Sequence, residues 1–315
     1  MNHLIFSLNA TIPLFFMMLL GIIFRRIGLF TEDFSRRMNR FVFRIALPAL
    51  LFQDLSQEDF FGVWDGKYVI FCFLVSLICI GIAFAVSFLL KDRSMQGELI
   101  QASYRSSAAL LGIGFIQNIY GNSGMAPLMI LATVPLYNIM AVVVLSFLKP
   151  GERGGLDGAR MKKTLKGIVT NPIILGIVVG MLWSVLKIPQ PQILSKSVHY
   201  IANLATPLGL MSLGAAFDLK KAWGAIKPTF AAVFMKLCVW CMVFLPLAIY
   251  LGFREDKLIA ILVMLGSPTT SSSFIMAQSM GHDGTLTASV VMATTLGCAF
   301  TMTLWLFLLR FAGLV

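Results

Sequence analysis

The segment Leu265–Phe274 reads L-G-S-P-T-T-S-S-S-F and sets a proline and a dense run of hydroxyls inside an apolar stretch. Pro268 has no amide hydrogen and its ring clashes with the preceding turn, and Gly266 loosens the backbone beside it. Buried in hydrocarbon, those hydroxyls must meet one another, water, a substrate or freed backbone groups. The reading is a helix broken over residues 266–271. A second stretch, R-S-S-A-A-L-L-G-I-G at 105–114, has the same potential without a proline. There a break would rest on Ser106, Ser107, Gly112 and Gly114. Arg105, at its head, cannot conveniently lose its proton and needs a partner or an anion when buried. Three readings stand beside each other for it: attraction of a carboxylate, snorkelling to the cytoplasmic interface, and a salt bridge with Glu98.

The chemistry implied is binding, not catalysis. The three histidines, His3, His199 and His282, fall near membrane edges without a ligand partner at useful spacing. Cys238 and Cys241 form a C-x-x-C in an apolar helix with no histidine nearby, so the five cysteines read as buried small side chains rather than metal ligands. The spans hold Asp and Glu only at their ends, which argues against a carboxylate-centred cation pump. Asp54, Asp218 and Asp283 read as caps or gate-edge groups. No cofactor is expected; coupling to Na+ through carbonyls and hydroxyls, or to H+, stays open. Asn138, deep in its span, needs a partner. Asn39, Gln101, Tyr104, Gln117, Asn118, Asn171 and Asn203 are further polar candidates, Asn203 for backbone freed by Pro207. Lys236, inside a span without an acid, reads first as a hydrogen-bond donor to helix termini.

The elements that must carry these residues are membrane spans. The 315 residues are 58% hydrophobic and 12% charged, with mean hydropathy +0.86, which excludes an ordinary soluble fold. Ten spans of about 20 residues fit at 4–24, 37–54, 68–90, 97–118, 124–148, 166–187, 197–217, 224–250, 256–280 and 285–309. Of the 25 Lys and Arg, 17 fall in alternate gaps, the basic 149–165 loop among them, and six on the opposite side, with Arg105 and Lys236 inside spans. The positive-inside rule then makes the 149–165 loop cytoplasmic and puts both termini outside. The net charge of +11 becomes a skin facing anionic lipid at the cytoplasmic face. No basic segment outside the loops offers a nucleic-acid surface. The first span has its arginines after the apolar run, unlike a cleaved signal peptide, and reads as retained.

The chain also repeats itself at a near-constant offset of 159–160. Pro13 and Gly21 map to Pro172 and Gly180, Pro48 to Pro207, Ser107 to Ser267, and Gly121 and Gly124 to Gly281 and Gly284. Five spans is an odd number, so the second copy must enter from the other side. The expected fold is therefore all-α and polytopic, with repeats at 1–148 and 166–315 inverted about the 149–165 loop, the architecture of alternating-access transporters. Two broken helices meeting at mid-membrane would turn half-helix N-termini toward an anion.

Five segments carry a family resemblance: L-P-A-L-L-F at 47–52, Q-A-S-Y-R-S at 101–106, N-P-I-I-L-G at 171–176, P-L-G-L-M-S-L-G at 207–214 and S-P-T-T-S-S-S-F-I-M-A-Q-S-M-G at 267–281. The chain resembles the bacterial branch of the auxin efflux carrier family, the malate or malonate permeases, over nearly its whole length. The resemblance implies a fold similar to bile acid–sodium symporters, with broken helices 4 and 9 crossing. It implies a scaffold and homodimer face from spans 1, 2, 6 and 7, and a transport bundle from spans 3–5 and 8–10 moving like an elevator. It makes an anion pocket around Arg105, Ser106, Ser107, Asn138, Ser267, Pro268, Thr269 and Thr270 the expected substrate site, and small mono- or dicarboxylates the expected substrates. Departures are a single proline at the crossings, Ser107 where many members have Asn, and a loop of only about 17 residues after span 5; these argue against auxin. The alternatives are a sodium-coupled organic-anion symporter, a passive channel, and a ligand-binding membrane sensor. The inner membrane of a bacterium is the expected location.

Overall fold

The computed structural model describes residues 2–56, 64–108, 116–117, 119–121, 124–151 and 158–315. Gly112, Gly114 and Asn118, named above as candidates, lie outside them, as does Arg153 of the basic loop.

Within the described residues the elements are helical. In chain order they are α1 (Asn2–Arg26), α2 (Glu32–Phe41), α3 (Leu47–Ser56), α4 (Gly66–Ser87), α5 (Gln96–Tyr104) and α6 (Ala126–Phe147). After the basic loop come α7 (Gly158–Val169), α8 (Pro172–Val185), α9 (Gln192–Ala202), α10 (Ala205–Ala216) and α11 (Leu219–Gly224). The last group is α12 (Ile226–Phe234), α13 (Trp240–Tyr250), α14 (Glu255–Gly266), α15 (Ser272–Ser279) and α16 (Thr285–Phe311). Among the described residues α4, α6, the continuous stretch Ile226–Tyr250 and α16 are long and apolar enough to cross a membrane. The protein is an all-α polytopic membrane protein.

Several expected spans are composite, and local chemistry explains each joint. α2 and α3 run on through a π-helical turn, Val42–Ala46, that ends two residues before Pro48, which has no amide to give the ladder. A second π turn, Met235–Val239, joins α12 to α13 and carries Lys236. The expected span at 166–187 is interrupted at Thr170–Asn171. Asn171 caps α8, its side-chain oxygen accepting from the Ile173 amide at 3.0 Å, and Pro172 occupies the first helical position, where its missing donor costs nothing. The expected span at 197–217 is interrupted at Asn203–Leu204. Asn203 bonds His199 Nε2 at 2.8 Å rather than backbone freed by Pro207.

Glycines set the closest helix approaches. A Cβ on Gly21 or Gly214 would collide with the carbonyl of Met211 or Met18, so α1 lies directly against α10. A Cβ on Gly176 or Gly180 would meet the backbone of Pro48 or Phe52 at 2.7 and 3.0 Å, which fixes α8 on α3. α14 is buried on every side from Leu258 to Gly266, at the centre of the main core. α4 instead keeps Ile70, Phe73, Leu74, Leu77 and Ile78 exposed, an apolar face for lipid. At its start Asp65 caps the helix through the Tyr68 amide at 3.0 Å and pairs with Lys257 of α14 at 2.6 Å. The Lys257 hydrogen bond, aided by that amide, holds the Asp65 carboxyl below its ordinary range.

Candidate functional site at the crossing of two broken helices

α5 ends at Tyr104 and residues 105–107 are non-helical; α14 ends at Gly266 and residues 267–271 are irregular. The two breaks touch: the Ser107 amide donates to the Pro268 carbonyl at 2.9 Å. Each helix end leaves carbonyls without intrahelical partners, and distant side chains supply the donors. At the end of α5, Thr269 Oγ1 donates to the Ala102 carbonyl at 2.7 Å and Trp240 Nε1 to that of Ser103 at 2.8 Å. At the end of α14, Ser106 Oγ donates to the Met264 carbonyl and Lys236 Nζ to that of Leu265 at 2.5 Å. Lys236 thus does what its sequence reading assigned it, as a cation at the negative end of a helix.

Arg105 is 2% exposed and does not snorkel. Its guanidinium donates to Asn138 Oδ1 and Ser272 Oγ at 2.8 Å each, and its other terminal nitrogen lies 2.8 Å from Met276 Sδ. Nε has no hydrogen-bond partner among the described residues. Asn138 is held in turn by its amide donating to the Val134 carbonyl at 2.9 Å. The salt-bridge reading with Glu98 is corrected: that carboxylate is taken up elsewhere, accepting from the Gly284 amide at 2.9 Å, the Thr287 amide at 3.0 Å and Thr287 Oγ1 at 3.1 Å. Glu98 caps α16 across the fold, an anion at a helix N-terminus. The partners recorded for the Arg105 guanidinium are all neutral.

Arg105 lines a cavity of about 190 Å3. Its wall brings together Arg105, Ser106, Ser107, Asn138 and Thr270 of the expected set, with Leu47, Leu51, Ile130 and Val134 as apolar surface. The hydroxyl of Ser106 is already engaged by Met264 and by Lys236 Nζ at 2.5 Å. Pro268 and Thr269 lie instead on a smaller cavity of about 30 Å3, which Ser107 and Thr270 share. Ser267 is fully buried, its amide donating to the Val263 carbonyl at 3.1 Å, and it is not on the described wall of either space.

The wall also holds Tyr137 and Thr206, which the sequence reading does not name, Asp54, which it takes as a cap or gate-edge group, and Ser271 and Ser272 of the hydroxyl run. Thr206 was within reach of the repeat, since the 159-residue offset pairs it with Leu47 and both precede a proline. Ser271 and Ser272 open α15, whose first turn faces the cavity beside Arg105. On the basic side a second space of about 730 Å3 is lined by Arg25, Arg26, Arg36 and Lys221, with Asp283 paired to Lys221 at 3.1 Å. Asn39 of α2 hydrogen-bonds Gln278 of α15, one of the lining residues there.

A cavity with an apolar wall and a few buried donors, set at the contact of two broken helices, fits a solute carrier, and sequence comparison agrees. Residues 6–306 match the family described as Membrane transport protein. The chain belongs to that family. As a membrane transport protein it is a secondary transporter and not an enzyme, and no group of His, Cys, Asp and Glu able to hold a metal ion occurs among the described residues. Its similarity to curated members is low in identity and complete in coverage. It is 23% identical over 316 residues to a putative malonate transporter of Rhizobium meliloti, covering 97% of each chain. It is 21% identical over 315 residues to the uncharacterized transporter YfdV of Escherichia coli, covering 98% of this chain and 99% of that one. An uncharacterized transporter of Methanothermobacter thermautotrophicus is 20% identical over 305 residues, 95% of this chain and 97% of its own.

Proposed function

We propose that this membrane transport protein carries small organic anions, mono- or dicarboxylates of the size of malonate or malate, by alternating access. The observation that carries the reading is Arg105: a buried guanidinium on the wall of the cavity, its recorded partners neutral, its Nε unpaired among the described residues, with the first turn of α15 beside it. An anion there would meet a fixed positive charge beside the positive end of a helix. The resemblance to malate and malonate permeases points the same way, as does the name of the Rhizobium relative.

The same reading takes the ten spans as two inverted repeats, 1–148 and 166–315. It has support in mirrored packing. Gly21 sits on Met211 and Gly180 on Phe52, and the offset of 159 converts one pair into the other. Gly121, Gly124, Gly281 and Gly284 all have positive φ, at 75°, 49°, 91° and 82°. In this reading α1, α3, α8 and α10, packed glycine to backbone, form the scaffold, and the crossing moves with the other bundle. Both termini face outward across a bacterial inner membrane, the basic face meets anionic lipid, and a homodimer forms on the scaffold.

The test is radiolabelled counterflow in proteoliposomes with malonate, malate and succinate, with and without sodium and a pH gradient. Wild-type protein is expected to exchange at least one of them. Arg105→Gln should weaken the apparent affinity roughly tenfold to a hundredfold, the worth of a charged hydrogen bond, with the protein still monodisperse. Unchanged KM and rate in that variant would remove Arg105 from the site. Uptake that requires sodium would move the assignment to the symporter alternative.

A further inference from the structure

We propose that Lys236 sets the valence of the transported anion, giving the site a second positive charge that selects dianions over monoanions of the same size; this rests on the organic-anion reading above. The side chain is fully buried in the π turn between α12 and α13. Nζ donates to Ser106 Oγ and to the Leu265 carbonyl, at 2.5 Å each. It also stands at the carboxyl end of α14, where the helix dipole favours a cation. Its other titratable neighbours are the thiols of Cys79, Cys241 and Cys298.

Ser106 is the link to the cavity. It stands on the wall next to Arg105, and Lys236 touches its far side. A bound anion is therefore one hydroxyl away from the ammonium, in surroundings that screen charge far less than water does. Across the cavity, α3 contributes Asp54, itself engaged by a neighbour, and α6 contributes Tyr137 and Asn138. Asp54 offsets part of the field. Arg105 stands in the crossing and Lys236 is bonded to it, so a ligand with one carboxylate on Arg105 gains more from a second carboxylate while Lys236 is charged. Lys236 makes no contact with the ligand in this scheme and is a positioning and charge-setting residue.

The experiment compares malonate with its monomethyl ester, two ligands close in size that differ by one charge, in counterflow by wild type, Lys236→Arg and Lys236→Met. Wild type should prefer malonate by tenfold or more, Lys236→Arg should keep a preference, and Lys236→Met should lose about tenfold of it while still moving the ester. Equal losses of both substrates in Lys236→Met would make the residue a structural clamp and overturn the proposal. So would a wild-type protein that takes the ester as readily as malonate, a result that holds even where neither variant folds. Wild type that moves neither ligand nor any other organic anion would bring down the organic-anion reading, and this inference with it.

Discussion

At the residue scale, three buried charges divide the work. Arg105 faces the cavity, Lys236 stands behind Ser106, and Glu98 closes the N-terminus of α16. From the sequence, Glu98 and Arg105 could have been a pair, since both lie in one short helical stretch. The structure gives Glu98 three donors from residues 284–287 and leaves Arg105 with neutral partners, so binding and stability separate. Glu98→Ala should leave those donors buried and unpaired and lower stability by about 2 kcal/mol, read as a lower apparent Tm in detergent, with the KM of the surviving protein unchanged. A higher KM at unchanged Tm would place Glu98 in the transport site instead. Asn138 shows the converse: its need for a partner was legible from its depth in an apolar helix, and which partner was not.

At the scale of elements, the breaks matter more than the helices. The break after Gly266 was readable because Pro268 cannot donate and a run of hydroxyls follows it. The break at 105–107 had no proline to announce it, only Ser106 and Ser107 with Gly112 and Gly114 further on. It is held open from outside, by the Ser107–Pro268 backbone bond and by the donors that Thr269 and Trp240 bring to the end of α5. Pro268→Ala restores an amide and lets α14 continue, so turnover should fall more than tenfold while expression and monodispersity hold. Full activity in that variant would mean that the Ser107 contact and the hydroxyl donors keep the break without the proline. The interruptions at Thr170–Asn171 and Asn203–Leu204 went unread because an apolar stretch of span length looks the same whether or not a cap divides it.

At the scale of the whole molecule, the proposed orientation rests on charge asymmetry, and it can be checked directly. With both ends outside, a cysteine placed at Val315 should react with an impermeant maleimide in intact cells, and one at Lys162 in the basic loop only after lysis. The reverse pattern would invert the protein in the membrane and exchange the sides reached by the 190 Å3 cavity and the basic 730 Å3 space. The control is favourable: four of the five native cysteines are buried and the fifth, Cys238, is half-buried inside a span.

What the sequence determined by itself was the class of molecule and the location of its weak points. Apolar runs of about 20 residues are the length of spanning helices, not of barrel strands, and a proline in a hydroxyl run marks where backbone satisfaction must come from elsewhere. What only the tertiary structure decided was who supplies it. The donors to the open carbonyls of α5 and α14 come from other elements: Trp240 and Thr269 lie 137 and 167 positions from Ser103 and Ala102, and Lys236 lies 29 from Leu265. No local pattern encodes such a pairing. It is fixed by how the helices pack, and the packing is what turns a buried arginine toward a cavity instead of toward Glu98.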